Sequence, residues 1–305
     1  MPKRKPLARV ISSVSVVDQM VERFFFQEYL DAESALYPNL PTKKGIGFSE
    51  EHAQLIGDRV YATSQVLKTS PVASDVAGWE KNFSLELAEA HGEHLEETVE
   101  NRQECEATLK KAVSWWQYSL VSTPYVLDTG ELLDFDDVNC QRSGDLFTTS
   151  SNGNGRVVCA EAVGSKAISM GDDCLEWTKL SHEELKEAYA DMQLPVRDVE
   201  VQDPGSFLFC SHRFQRRDDG SWACWLETWE RMLFEASYSR INDLSTNLNY
   251  RSEIEMMPPC EDKDRIMQFL ERREELLSAV AGHEKQEQET QPEDWWWCHP
   301  AFTAL

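Results

Sequence analysis

The chain has 305 residues, with 30 Lys and Arg against 54 Asp and Glu, for a formal charge of −24. Its 41% hydrophobic and 28% charged content is that of a soluble globular protein with a sizeable core, which excludes a fibrous or wholly disordered chain. So acidic a balance also excludes a free-standing nucleic-acid binder, because phosphate contacts need Lys and Arg, unless local basic residues, bound metal ions or a basic segment elsewhere offset the acidic body.

The imbalance is uneven. Residues 1–70 carry nine Lys and Arg and eight Asp and Glu, so the remaining 235 carry 21 against 46. No apolar run approaches the ~20 residues of a membrane span, and the opening "MPKRKPLARV" lacks a signal peptide's apolar core, so an intracellular protein is expected. Eight cysteines, at 105, 140, 159, 174, 210, 224, 260 and 298, never take Cys-x-x-Cys spacing; dispersed reduced thiols are expected, and a zinc site is unsupported.

In chain order, Val14, Val17, Val21, Phe24 and Phe25 recur at helical spacing and predict a helix over 14–34. "YPNLPTKKGIG" is a turn-rich loop, after which Ser49 caps a second helix to about Leu67. "SPVASDVAGW" reads as a short strand ending at Asp75 and a Gly-containing turn. Amphipathic helices are expected over 82–120, broken near His91-Gly92, with Trp115 and Trp116 in the core. Apolar runs on both sides of Asp128-Thr129-Gly130 predict a hairpin. A Gly/Ser/Thr-rich loop leads into a helix over 150–164, then into two strands joined at Gly171-Asp172-Asp173. A helix at "SHEELKEAYADM", a strand at "VRDVEV" and a single strand at "SFLFCSHRF" follow. "SWACWLETWERMLFEASYSRI" and "EDKDRIMQFLERREELLSAVAG" read as helices, and from Glu284 the chain reads as a disordered acidic tail ending in "WWWCHPAFTAL".

Three clusters carry the chemistry. Asp75 closes a strand, with Glu80 five residues on; Ser143, Gly144, Thr148 and Asn152 form Ser-Gly-x-x-x-Thr-x-x-x-Asn; Gly171-Asp172-Asp173 completes the series. Alone, the last tripeptide reads as a surface turn, for which Gly and Asp are ordinary choices. Adjacent carboxylates at ~4 Å repel by roughly 4 kcal/mol at an effective dielectric of 20, so a cation is expected beside them. Magnesium takes hard oxygen ligands, one or two carboxylates plus substrate phosphates, and two such ions can bind the attacking and leaving oxygens of a phosphoryl displacement. A strand-end Asp75 beside a hairpin-tip Asp172 would serve both ions. Gly144 suits a loop that must move, and Thr148 and Asn152, four apart, would share a helical face and could hydrogen-bond a ribose hydroxyl. Cys210 and His212, two apart on one strand, would share a face, but no third group completes a nucleophile, so a structural role is expected. "GNGRVVCAEAVGSK" is not a phosphate loop, since Gly155 and Gly164 stand nine apart.

"SDVAGWE", "SGDLFTTSSN", "MGDDCLEW" and "FLFCSHRF" resemble, in order, motifs A, B, C and E of the RNA-dependent RNA polymerases of positive-strand RNA viruses, in the forms of the sobemovirus, barnavirus and polerovirus group. "RVISSVSVVDQMVERFFF" resembles the segment after motif F, and the likeness covers residues 9–240. It implies an α+β right-hand palm with an antiparallel sheet, partial fingers and a helical thumb, divided as 1–70 partial fingers, 71–205 palm with an inserted helical segment, 206–283 motif E and thumb, and 284–305 tail. It implies catalysis and metal binding by Asp75, Asp172 and Asp173 with Mg2+ or Mn2+, and substrate binding by Glu80, Ser143, Gly144, Thr148, Asn152, Arg9 and Arg197.

The partners implied are an RNA template and primer, nucleoside triphosphates, a viral protein primer and other replicase proteins; the place implied is host cytoplasm in membrane-associated replication complexes. Three departures stand out. Glu80 replaces the usual aspartate and carries one more methylene. Arg197 stands where a lysine is usual, and a guanidinium rarely gives up a proton. The family also has more fingers sequence before motif F than nine residues supply, so an N-terminally incomplete or frameshifted reading frame is expected. The alternative in a different class is a non-catalytic fragment that binds RNA or replication partners. A reverse transcriptase shares the two-carboxylate plan, but Asn152 and the Gly-Asp-Asp form favour RNA synthesis.

Overall fold

The computed structural model describes residues 14–98, 102–122, 125–127, 129–133, 141–142, 144–238 and 244–290. The chain divides into two compact units, Met1–Gly47 with Leu55–Cys210 and Phe48–Gln54 with Ser211–Leu305.

The first unit opens with α1 (Val16–Leu36), where the Ser15 hydroxyl accepts the Asp18 N–H as an N-cap. The helix is where its periodicity predicts, and the face it buries carries two carboxylates. Glu22, Phe26, Leu30 and Glu33 point inward, whereas Val17 is 69% and Phe24 83% exposed. Cationic partners decide this: Glu22 lies 4.0 Å from Arg142 and Glu33 lies 3.6 Å from Lys44. A pattern that counts apolar residues cannot see such pairs.

Helix α2 (Glu50–Leu67) starts at Ser49, whose hydroxyl accepts the His52 N–H, and ends where expected. Strand β1 (Val72–Val76) alternates inward and outward positions, with Asp75 outward. It leads through Gly78, at φ 63°, into the short α3 (Trp79–Asn82). Then α4 (Leu85–Thr98) and α5 (Arg102–Ser122) form an antiparallel pair. The break expected at His91-Gly92 does not occur. Gly92 is buried mid-helix in α4, where a Cβ would come within 2.4 Å of Gln117 and 2.7 Å of Val113, so the glycine is there for close helix packing.

Strands β2 (Tyr125–Val126) and β3 (Leu132–Leu133) make the expected hairpin; Asp128 lies outside the described residues. Helix α6 (Thr148–Ala162) reads "TTSSNGNGRVVCAEA", a poor helix former by propensity, yet nine of its residues are buried. Its small side chains let it lie against the sheet and α4: at Gly155 a Cβ would sit 3.2 Å from Trp79 and 3.3 Å from Phe83. Tertiary packing overrides propensity here.

Strands β4 (Lys166–Met170) and β5 (Asp173–Trp177), helix α7 (His182–Asp191) with a complete Ser181/Glu184 capping box, strand β6 (Val196–Val201) and strand β7 (Ser206–Phe209) complete the unit. The four-stranded antiparallel sheet runs β4-β5-β1-β6. Its core includes Trp79, Phe83, Leu95, Phe147, Leu185 and Tyr189; Trp116 is fully buried there and Trp115 packs on it, as expected.

In the second unit β8 (His212–Arg216) and β9 (Trp222–Leu226) pair from His212↔Leu226 to Arg216↔Trp222. Helices α8 (Trp229–Tyr238), α9 (Leu244–Glu255) and α10 (Glu261–Thr290) gather around Met232, Ile254, Met257, Ile266 and Leu270. Three expectations are corrected. "SFLFCSHRF" is two strands, turned at Cys210 and Ser211 with φ 51° and 61°, so Cys210 and His212 do not share the face of one strand. "SWACW" is strand β9, because Trp222, Ala223 and Cys224 are buried where they pair with β8. The helix that was expected to give way to a tail at 284 continues to Thr290 on strong helix formers, Glu, Lys and Gln. Residues 291–305, including Trp295 to Trp297 and Cys298, lie outside the described residues. Among the described residues no helix is long and apolar enough to cross a membrane.

Candidate active site

The hairpin β4–β5 pairs Met170 with Asp173, leaving Gly171 and Asp172 as a two-residue turn. Gly171 has φ 61°, the conformation that a two-residue turn asks of its first residue and that glycine adopts without strain. Asp172 and Asp173 are thereby held at the sheet end, both exposed. β1 runs antiparallel to β5 with Val72↔Glu176 and Ala73↔Leu175. Asp75 lies two residues beyond Ala73 on β1, close enough for its charge to act on the Asp173 carboxyl. On its other side Asp75 pairs with Asp198, and the register shifts between Asp75 and Val76, an irregularity at the strand end. Arg197 reaches back from β6 to within 3.2 Å of the Asp75 carboxylate, with both side chains solvent-facing.

The Asp173 carboxyl is pushed up to about 6 by the protein around it, by Asp172 and by Asp75, with Arg156 and Cys210 working the other way. Asp173 is exposed by area, so this is the desolvation of a half-open site, not of a core. The repulsion from its two neighbours is what a bound cation would relieve. Among the described residues no three His, Cys, Asp or Glu side chains are gathered tightly enough to hold a metal ion by themselves. The donor set still fits a hard cation of the magnesium type, which typically takes one or two carboxylates and completes its shell with water and substrate phosphates.

Beside the hairpin lies the start of α6. Asn152 is buried, and among the described residues its Oδ1 has no hydrogen-bond partner, so this oxygen can accept from a hydroxyl. Its neighbour Gly153 faces the hairpin: a Cβ there would meet Ser169 Oγ at 3.4 Å and the Gly171 nitrogen at 3.7 Å. Ser169 Oγ donates to Gly153 O at 2.7 Å, and its backbone pairs with the 41–43 loop, where Lys43 N–H donates to Ser169 O at 2.7 Å. Lys43 is fully buried, donates to the Tyr37 and Leu40 carbonyls, and is pushed down to about 7 by burial and by Arg59. Loop, hairpin and helix are thus tied at one residue, Ser169, which sequence reading passed over.

The remaining site residues take different places. Thr148 Oγ1 lies 2.6 Å from Arg142 O and 2.8 Å from Asp145 O, so its proton is committed to closing the helix start rather than to a ribose. Gly144 is exposed in the turn before α6. Glu80 is half-buried on α3, and its carbonyl accepts the Gln141 N–H at 2.8 Å, which joins the Asp75 region to the 141–148 segment. Arg9 and Ser143 lie outside the described residues.

Sequence reading also missed the layer beneath. Arg156 on α6 is fully buried and donates to Ser74 Oγ at 2.5 Å and Ser74 O at 3.2 Å. It lies 5.5 Å and 5.3 Å from the Trp79 and Tyr189 ring centroids. Ser74 Oγ in turn donates to buried Glu176, which also accepts the Tyr189 hydroxyl at 3.2 Å. An arginine four residues after the motif asparagine, on the same helical face, was the available signal.

No family model matches the chain. Replicase polyprotein P2AB of Cocksfoot mottle virus is 32% identical over 238 residues, covering 74% of this chain and 23% of that one. Protein P1-P2 of Turnip yellows virus is 32% identical over 222 residues, covering 69% and 20%. The RNA-directed RNA polymerase of Mushroom bacilliform virus is 29% identical over 224 residues, covering 68% and 50%. The chain therefore spans about a quarter of the first relative and half of the last. Among solved structures, the RNA-dependent RNA polymerase of a human picobirnavirus superposes with a TM-score of 0.64 at 16% identity, over 87% of this chain and 52% of that one. The fold is the α+β fold of viral RNA-dependent RNA polymerases, as the four motifs led one to expect.

Proposed function

We propose that this chain, a relative of the sobemovirus, polerovirus and barnavirus replicases with the fold of a viral RNA-dependent RNA polymerase, catalyses template-directed RNA synthesis in viral genome replication. The observation that carries this reading is the placement of Asp75 near the end of β1 beside the β4–β5 hairpin turn that holds Asp172 and Asp173, with burial first and then the charges of Asp172 and Asp75 raising the Asp173 carboxyl to about 6. The 3′ hydroxyl of an RNA primer attacks the α-phosphate of a nucleoside triphosphate; a new P–O bond forms, the bond to the β-phosphate bridge breaks, the hydroxyl proton goes to solvent and pyrophosphate leaves.

Asp75, Asp172 and Asp173 would hold magnesium or manganese. When bound, the ions supply electrostatic stabilisation of the attacking and leaving oxygens. Asn152 offers its Oδ1 to a ribose hydroxyl with Ser143 as a further nucleotide contact, Gly144 lets the segment before α6 move, and Glu80 acts on the ribose region from α3. Arg197 neutralises Asp75 in the absence of cations, and acts electrostatically on the triphosphate with Arg9. The template, the primer, a protein primer and other replicase proteins are the proposed partners, in membrane-associated complexes of the host cytoplasm.

Primer extension by the purified chain on an RNA template tests the reading. Extension with magnesium or manganese, abolished by a chelator and restored by readdition, is expected. If no extension occurs while RNA is still bound, the non-catalytic reading replaces this one. Asn152→Ala is expected to lower the ribonucleotide over deoxyribonucleotide preference in kcat/KM by about tenfold, the worth of one hydrogen bond of about 1 kcal/mol or slightly more. An unchanged ratio would remove Asn152 from ribose reading.

A further inference from the structure

Glu22 is fully buried on α1, 124 residues away in sequence from the group it meets: its Oε2 accepts the Leu146 N–H at 3.2 Å. Its Oε1 lies 4.0 Å from Arg142 Nη2 and, among the described residues, has no hydrogen-bond partner. Arg142 is itself buried, donating to Asp145 Oδ2 at 3.0 Å and to Ser119 Oγ at 2.8 Å. Asp145 accepts the Phe147 N–H at 2.8 Å and lies 3.4 Å from the Trp116 indole nitrogen. The segment 141–148 is thus held from α1 by one carboxylate and from α5 by uncharged groups, and it delivers the chain into α6 four residues before Asn152.

We propose that Glu22 is a positioning residue for the nucleotide site: by holding Leu146 and Arg142 it fixes the 141–148 segment, and through it the start of α6 and the placement of Asn152. This rests on the polymerase reading above for its consequence, but not for its geometry. A carboxylate buried among two other acids is a costly choice for a purely structural tie, since an amide would accept the same N–H without charge. What a carboxylate adds is a hold that depends on its protonation.

The groups that face it are Asp145 and Arg142 from the segment and Asp18 from its own helix. Burial first, then Asp145, pushes the Glu22 carboxyl up to about 7 against the opposing pull of Leu146 N–H and Arg142. A folded value raised above the unfolded one contributes stability that is fully present below the unfolded value and is lost as pH rises through the folded one. The segment is therefore held most firmly below about pH 5 and loosens by pH 8.

The test is hydrogen exchange of the full chain, corrected for intrinsic rates, between pH 5 and 8, together with single-nucleotide kinetics. In the wild type, protection of the Leu146 and Phe147 amides is expected to fall about tenfold across that range, while the 166–177 hairpin stays level. Glu22→Gln keeps an acceptor for Leu146 and should make protection independent of pH with nucleotide KM close to wild type. Glu22→Ala should expose the segment at least about tenfold, the cost of leaving the buried Leu146 N–H without its acceptor, and raise KM more than it lowers kcat. Protection of 144–148 unchanged in Glu22→Ala overturns the proposal, as does a Glu22→Gln profile that still follows the wild-type pH curve; the second decides if the alanine variant does not fold. Should the exchange results come out as expected while the wild type makes no RNA, the polymerase reading fails and the positioning stands.

Discussion

Asp172→Ala should lower primer extension by about a thousandfold, the upper end of what removing one preorganised electrostatic contact costs, while leaving the folded state at least as stable as the wild type. The two halves of this expectation come from the same geometry. Asp172 is exposed on a two-residue turn and its charge raises the Asp173 carboxyl, so its removal takes away a repulsion and no packing. Asp172→Asn keeps the shape and removes the charge, and should behave alike. A residue whose loss destroys turnover without lowering the unfolding midpoint is placed for chemistry. Retention of more than about a tenth of the wild-type rate would take Asp172 out of the reaction.

Arg156→Leu should destabilise the first unit by about 3–5 kcal/mol, because Arg156 is the buried cation that Ser74 bridges to Glu176, and its loss leaves that acid without the opposite charge. Glu176 is fully buried and keeps Ser74 and Tyr189 as hydrogen-bond partners, but both are neutral. The Arg156 side chain also packs against Trp79 and Tyr189, so the loss includes its aromatic contacts. The double variant with Glu176→Leu should recover most of the stability in denaturant titration, since replacing a whole buried pair by apolar groups is often neutral. If the double variant is as unstable as the single one, the aromatic contacts matter more than the charge pair. Activity should suffer in both, because Ser74 precedes Asp75 and loses the donor that anchors the end of β1.

The readable part of the site was local. Asp75 at a strand end, Asp172 on a Gly-led hairpin turn and Asn152 on a helix are each set by near neighbours in the chain, and each stands in the element expected. Thr148 differs in its bonding because a hydroxyl at a helix start finds the two nearest carbonyls before it finds a ligand. The misread parts needed distant partners. "SWACW" looks helical among tryptophans and alanine, and becomes β9 only because β8 lies alongside to pair with it. "SFLFCSHRF" looks like one strand until Cys210 and Ser211 are seen at positive φ, a conformation that no feature of these two residue types announces.

By itself, then, the order of residues determined the motif series, the hairpin joined at Gly171-Asp172-Asp173, the cap at Ser49 and the likeness to polymerase motifs, all of which depend on spacing within a turn, a strand or a helix. Tertiary structure alone decided that α1 turns Glu22 and Glu33 inward and Phe24 outward, and that Arg156 and Glu176 share the floor of the site. The reason is electrostatic. A buried charge is tolerated only where a partner meets it, and those partners lie far away along the chain: Leu146 is 124 residues from Glu22, and Glu176 is 102 from Ser74.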